Sequence, residues 1–305
     1  MNYETRLLEA IKNKLVKVAE REGKSLQFGY GQGEIRKHYY LKHLEDNLVV
    51  PMSNDVQCMY RKGSGKELCS KMHAIRSSSA MTFNLLGNGP VEIKSGSHAG
   101  KYNRIEYEYR LETLENNPHP ANLDAYLEGG NEDIYCEMKM LEWLDDDCHE
   151  ISAAYTDKNR YPVPETAGNF IRLFEELAPN FAPAKEERIA DGRYDCLQMA
   201  KHLLAIYNKV ATEPDYKPKR VTLLNCVWEF TDSKVLEGYE GKYSKMRDEE
   251  HEGFKKFKEL ATELVVPLFE AEGVPLSIEY ITASELMESI AYEEPIRRKL
   301  DRYIV

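Results

Sequence analysis

The stretch Asn122–Glu142, NLDAYLEGGNEDIYCEMKMLE, decides the fold. Two arms of alternating residues flank a Gly-Gly turn. In the first arm Leu123, Ala125 and Leu127 point one way, Asp124 and Tyr126 the other. In the second, Ile134, Cys136, Met138 and Met140 share one face, and Tyr135, Glu137 and Lys139 share the opposite one. Side chains in a strand switch faces at every residue, so the pattern predicts a hairpin with an apolar and a polar face. With the loop at Gly129–Glu132, Glu128 pairs with Asp133, and stepping away from the turn brings Asp124 opposite Glu137. Directly opposed residues lie roughly 4.5–5.5 Å apart at Cβ. Two carboxylates that close, with Lys139 on the same face, work against stability and make sense around a divalent cation.

Working outward, the chain has 305 residues, 42% hydrophobic and 30% charged, enough for one large domain or two modest ones with a real core. Its formal net charge of −11 rules out a whole-protein basic field, so any nucleic-acid site has to be a local basic patch. The six cysteines are scattered with no C-x-x-C pair, which argues against a zinc knuckle. No leader pattern and no apolar run near the roughly 18 residues of a membrane span is present, so the expectation is a cytoplasmic protein with reduced thiols and no membrane partner.

Asn2–Glu22 reads as an amphipathic helix with Tyr3, Leu7, Ile11, Leu15 and Val18 inward, closed by Gly23. GYGQG, with Gly29, Gly31 and Gly33, lacks the flanking strand and helix of a dinucleotide loop. Arg36, Lys37, His38, Lys42 and His43, interleaved with Tyr39 and Tyr40, form the best local basic-aromatic patch, which is also what a solvated helix face looks like. KGSGKE at Lys62–Glu67 fails the phosphate-loop pattern, because Tyr60 and Glu67 stand where glycine and a hydroxyl are needed. Lys66–Gly87 reads as a helix start followed by a second helix, with Ser77, Ser78 and Ser79 allowing close approach. Val91–Lys94 and Arg104–Leu111 read as strands; Pro118 and Pro120 break the chain before the hairpin, and Asp145, Asp146 and Asp147 form an acidic run after it. Asp157–Lys185 reads as a connecting excursion with a short helix around Thr166–Leu177. Arg193–Val210 is a helix that puts Gln198 and His202, four apart, on one face. Val221–Phe230 is a buried strand, Asp248–Ala271 a long charged helix, Leu276–Ile281 a strand, and the tail from Ala283 helical. The expected fold is α/β: a central mixed β-sheet flanked by helices, with residues 1–60 as an N-terminal helical extension packed on a unit of residues 61–305.

E-x-K occurs four times, also at Glu22/Lys24, Glu92/Lys94 and Glu240/Lys242. Only Glu137/Lys139 combines alternation, a tight turn and an opposed Asp124. Asp124 and Glu137 are hard oxygen ligands suited to Mg²⁺ or Mn²⁺, with the backbone carbonyl of Met138 available to complete the set. A bound cation would lower the pKa of a water and neutralise charge on a phosphate, and Lys139 would orient that water. A solvated cross-strand Asp/Glu/Lys cluster is the plain alternative.

The order N-L-D-A-Y-L-E-G, with Asp124 third, followed by I-Y-C-E-M-K with Glu137 and Lys139, resembles the PD-(D/E)XK nuclease superfamily, the restriction-endonuclease-like fold. Asn122-Leu123 stands where the family's proline would. Gly63–Gly87 is similar to a bacterial branch of restriction endonucleases that pairs a G-x-G-x-E-L segment and a serine-rich helix with a later D…E-x-K hairpin. Gln198-x-x-x-His202 is similar to the Q-x-x-x-Y helix of RecB-like nucleases. The resemblance covers roughly Lys62 to Phe230. It implies metal-dependent hydrolysis of a DNA phosphodiester, with Asp124 and Glu137 as metal ligands and Lys139 as the catalytic lysine. It further implies a helper glutamate: Glu67 first, Glu108 second. Gln198 and His202 would touch the DNA backbone or support Lys139, and a positive groove would be built from residues such as Lys71, Arg76, Lys101 and Arg104. DNA, a second copy for double-strand cutting and a protecting methyltransferase are the implied partners. A catalytically silent binder of nucleic acid or protein, or a metal hydrolase of another substrate, are the alternatives.

Overall fold

The computed structural model describes residues 2–63, 66–144, 151–178 and 193–305; the acidic run Asp145–Asp147 and the end of the connecting excursion lie outside these. Six strands form one mixed sheet in chain order: β1 (Val91–Ile93), β2 (Gly100–Leu111), β3 (Ala121–Gly129), β4 (Asp133–Lys139), β5 (Val221–Val227) and β6 (Leu276–Thr282). The first four run antiparallel to their neighbours; β4, β5 and β6 are parallel. Among the described residues ten α-helices surround the sheet. They are α1 (Tyr3–Arg21), α2 (Glu34–Tyr39), α3 (Asn54–Lys62), α4 (Ser78–Leu86), α5 (Ala167–Leu177), α6 (Cys196–Thr212), α7 (Glu240–Leu264), α8 (Val266–Ala271), α9 (Ala283–Ser289) and α10 (Glu294–Leu300). Helices α5 and α6 lie on the β4-to-β5 connection and α7 and α8 on the β5-to-β6 connection, as parallel neighbours require. Among the described residues no helix is long and apolar enough to cross a membrane.

The hairpin has the register that its alternation dictates: Glu128 pairs with Asp133 and the ladder continues to Ala125 and Cys136. The expectation of one polar face is wrong. Both faces of β4 are buried, because helices cover the sheet on each side. Ala125, Leu127, Ile134, Cys136 and Met138 pack with α1, α3 and α4 on one side. Tyr126 and Tyr135, read as outward, pack with α5 and α6 on the other. Leu123 also packs on that second side, opposite to Ala125. Glu108 in β2 explains this switch: its φ of 52° is a left-handed conformation in mid-strand. Tyr107 and Tyr109 pair with Ala125 and Leu123, but the Glu108–Asp124 rung between them is missing. The irregular residue thus reverses the facing of the ladder at the level of Asp124.

Two helix expectations also needed correction. The helix start at Lys66 is a turn leading to a 3-10 helix at Lys71–His73. The Asn47 side-chain amide donates to the carbonyls of Met72 and Ala74, so a side chain satisfies backbone there instead of a helical ladder. The long charged helix begins earlier, at Glu240, and breaks at Val265 before Pro267. Proline has no N–H to donate and its ring crowds the preceding turn.

The sheet curls until its two edges are linked. Ile93 of β1 bridges Ile290, just after α9. In the β1–β2 loop, His98 contacts Glu132 at 3.2 Å and Glu279 of β6 at 3.0 Å. Glu132, 4% exposed, also takes Arg220 at 2.9 Å and the Tyr102 hydroxyl at 3.0 Å. Burial works against charge on His98, but its hydrogen bonds to Glu132 and Glu279 override this and raise its pKa to about 9. Burial likewise opposes charge on Glu132, yet the bonds from His98, Arg220 and Thr222 lower it to about 2. The staple's contribution is therefore complete between the unfolded values of 4.5 and 6.5. It fades as pH rises through about 9, where His98 loses its proton, and as pH falls toward about 2, where Glu132 gains one. His98→Ala is expected to cost roughly 3 kcal/mol at pH 6, the range for breaking a buried pair. Urea titrations at pH 6 and pH 10 check this: the gap from wild type shrinks at pH 10, and an unchanged gap contradicts the assignment.

Candidate active site at the open end of the hairpin

Beyond Ala125 the β3–β4 ladder gives way to a side-chain contact: Asp124 Oδ2 accepts the Met138 N–H at 2.7 Å. The two strands are held together there by a carboxylate, whose other oxygen takes no hydrogen bond among the described residues. Glu137, 4% exposed, receives Lys139 Nζ on Oε1 at 2.8 Å and His202 Nε2 on Oε2 at 3.1 Å. Lys139 Nζ also donates to Gln198 Oε1 at 2.7 Å. Gln198 and His202 come from α6, which Asp195 caps by accepting the Gln198 N–H. Their four-residue spacing sets both over the E-x-K strand.

A buried cluster this polar has opposing effects on its members. Burial and the neighbouring Glu137 push the Asp124 carboxyl well above its usual range, in spite of Lys139 and the Met138 N–H. Burial also opposes charge on Glu137, but Lys139 and His202 outweigh it and hold that carboxyl down at about 2. Lys139 is pushed up: desolvation is outweighed by Glu137 and Asp195. Glu137 is the ionised member of the pair and Asp124 the strained one.

A second acidic pair faces the first. Glu67, 4% exposed, takes Ser79 Oγ at 2.6 Å and Lys71 Nζ at 2.8 Å. Glu108 accepts from the Asn122 amide at 2.6 Å, and burial raises its pKa, with Glu67 adding to the effect. Ten of the twelve residues singled out from sequence (Glu67, Lys71, Arg76, Glu108, Asp124, Glu137, Met138, Lys139, Gln198 and His202) line one cleft of about 760 Å³. Lys101 and Arg104 do not. They lie on β2 toward the turn end of the hairpin, where Arg104 is paired with Glu128 and Glu106. The basic-aromatic patch is divided: Tyr39 is core, Tyr40 reaches the cleft wall, and Arg36 binds Ser70. Sequence reasoning missed Lys201, and it missed that Ser79 and Asn122 hold Glu67 and Glu108. Lys201 was within reach, since it is three residues from Gln198 and so on the same helix face.

Among the described residues no three His, Cys, Asp or Glu side chains form a ready-made metal cage. The donors present nevertheless fit a hard cation that keeps most of its waters. Asp124 has an oxygen to spare and a raised pKa that positive charge would relieve. Glu137 would have to share its oxygens with Lys139 and His202, which a carboxylate with about four lone-pair sites permits.

A central mixed sheet with helices on both faces, an N-terminal helix and acidic residues at the open end of its hairpin is a restriction-endonuclease-like core. The chain belongs to the family of restriction endonucleases associating with ARP, whose model matches residues 6–266. No curated protein and no solved structure matches the chain.

The raised Asp124 carboxyl binds its proton more tightly in the folded chain than in the unfolded one, so it lowers stability as pH climbs above the unfolded value of 3.8. Asparagine keeps the acceptor for Met138 and cannot ionise. In the presence of EDTA, Asp124→Asn should melt at or above wild type at pH 8, with the advantage lost near pH 4. A lower melting point at pH 8 in calorimetry would show that Asp124 stabilises the fold.

Proposed function

We propose that the chain is a metal-dependent endonuclease of the PD-(D/E)XK type that hydrolyses DNA phosphodiester bonds in restriction or defence. The observation that carries this is Lys139, held between Glu137 and Gln198 beside a half-buried carboxylate that has an oxygen to spare. Membership in a family named for restriction endonucleases supports it. Asp124 and Glu137, with the Met138 carbonyl, would hold Mg²⁺ or Mn²⁺. Bound there, such an ion would lower the pKa of a water and offset charge on the scissile phosphate.

The chain's own groups do the rest. Lys139, kept protonated, presents its ammonium to the attacking water and to the charge that builds on the phosphate. Gln198 and Glu137 fix its direction, and His202 holds Glu137 in turn. Glu67 and Glu108 form the opposite wall, where they can orient water. With every carboxyl counted as ionised, the cleft lining carries four Lys/Arg side chains against five Asp/Glu, so a single divalent ion would tip that formal balance from negative to positive. A bound ion would thus let an anionic phosphate approach in spite of the net charge of −11. Cutting both strands would call for a second copy, and a methyltransferase would protect the host site.

Supercoiled plasmid incubated at low salt with Mg²⁺ or Mn²⁺ tests the reading. Wild type should nick or linearise it, EDTA should stop the reaction, and Lys139→Ala should slow it about 10²- to 10³-fold, as for loss of one charge-stabilising donor. Equal cutting by Lys139→Ala contradicts the reading, as does wild type that neither cuts DNA nor binds Mn²⁺. DNA shifted but left intact would indicate the silent binder.

A further inference from the structure

Next to the main cleft, and sharing Lys139 and Glu142 with it, lies a small cavity of about 30 Å³. Lys139, Tyr194, Asp195, Asn225 and Glu250 line it. Glu250 comes from the middle of α7 and is 2% exposed, yet its Oε2 has no hydrogen-bond partner. The Tyr194 hydroxyl, on a side chain 1% exposed, has none either. Lys139 has three N–H groups, and Glu137 and Gln198 account for two of them. Three unmet polar groups thus border one space. A buried carboxyl oxygen left unsatisfied destabilises the fold, and chains do not usually retain one without a reason. A cavity needs roughly 10–15 Å³ to hold a water, and that water needs two to four polar partners. This cavity has the room and the partners.

We propose that Glu250 is a positioning residue for Lys139: with the Tyr194 hydroxyl it holds a buried water against the rear of the ammonium, and this relay fixes the lysine in place for its work on the phosphate. The proposal rests on the assignment of Lys139 in the preceding section. The protonation state of Glu250 fits the geometry. Burial raises it to about 8, against the pull of Lys139, so near neutrality it is a carboxylic acid. As an acid it can donate to the water, which accepts a second bond from Lys139 and has its own two hydrogens for the Tyr194 oxygen and Glu250's other oxygen. No proton has to leave the cluster. The role is one that glutamine can fill and leucine cannot: the amide N–H₂ donates to the same water, whereas the isobutyl group displaces it.

Two variants and two readouts test this. A merely structural Glu250 predicts that Glu250→Leu is neutral or stabilising with no further effect, since it removes an unsatisfied buried carboxyl. The proposal predicts that Glu250→Leu melts no lower than wild type yet cleaves plasmid about tenfold more slowly through kcat with KM unchanged, and that Glu250→Gln restores the rate. The second readout needs no activity: in ¹⁵N-lysine-labelled protein, the Lys139 ammonium, assigned by its loss in Lys139→Met, should be protected from exchange in wild type and Glu250→Gln and exposed to it in Glu250→Leu. An ammonium signal unchanged in Glu250→Leu overturns the proposal, as does a high-resolution crystal structure with no ordered water between Glu250 and Lys139. Wild type that fails to cut but shows the protected ammonium would refute the nuclease reading and leave the relay standing.

Discussion

The structure depends on keeping charges out of water at the open end of one hairpin. Glu137 sits on a strand buried on both faces, where an unpaired carboxylate would be prohibitive. Three groups make it tolerable: Lys139 two residues along, and His202 with Gln198 from α6, the first on Glu137 itself and the second on the lysine. The sheet and the helix are therefore bound to each other through this cluster as well as through their apolar packing. Once Glu137 has its partners, Asp124 is the group left over. It closes the ladder by binding the Met138 N–H and stays a poor acid because it is desolvated and its neighbour is already ionised. A fold optimised for stability alone would not place it there, and this kind of local cost is what a site for a cation and an anionic substrate demands.

The same economy shapes the surroundings. Glu108 adopts a left-handed conformation in mid-strand, so the β2–β3 ladder skips one rung and opens toward the cleft beside Asp124. The opposite wall is built on the turn before α4, where Glu67 is held by Ser79 and Lys71. Far from the site, the His98–Glu132–Glu279 staple draws the edges of the curled sheet together at the turn end of the hairpin. Closed at one end and polar at the other, the hairpin gives the cleft rigid walls, which preorganised electrostatics requires.

Much of this was legible in the residues. The hairpin and its register followed from period-two alternation and the Gly-Gly turn, and the buried strand β5 from a mostly apolar run. The pairing of Gln198 and His202 on one helix face followed from their spacing. What was not legible had physical causes. Tyr126 and Tyr135 read as outward because tyrosine is amphipathic; here their rings pack under α6 while their hydroxyls reach Asp133 and Tyr216. Glu108 gave no warning of its positive φ, which glutamate seldom adopts. The positive groove was misjudged at Lys101 and Arg104, since a charge read without its fold cannot reveal the pairing of Arg104 with Glu128. Glu250 was hidden in a helix so charged that one more glutamate carried no signal.

The central claim is that Asp124 and Glu137 form the seat of a divalent cation that Lys139 flanks. Anomalous diffraction from crystals grown with Mn²⁺ addresses it most directly. The account predicts a manganese peak bonded to oxygens of both Asp124 and Glu137, absent from crystals of Asp124→Asn. A peak elsewhere in the molecule, or none in the cleft at saturating Mn²⁺, would contradict it.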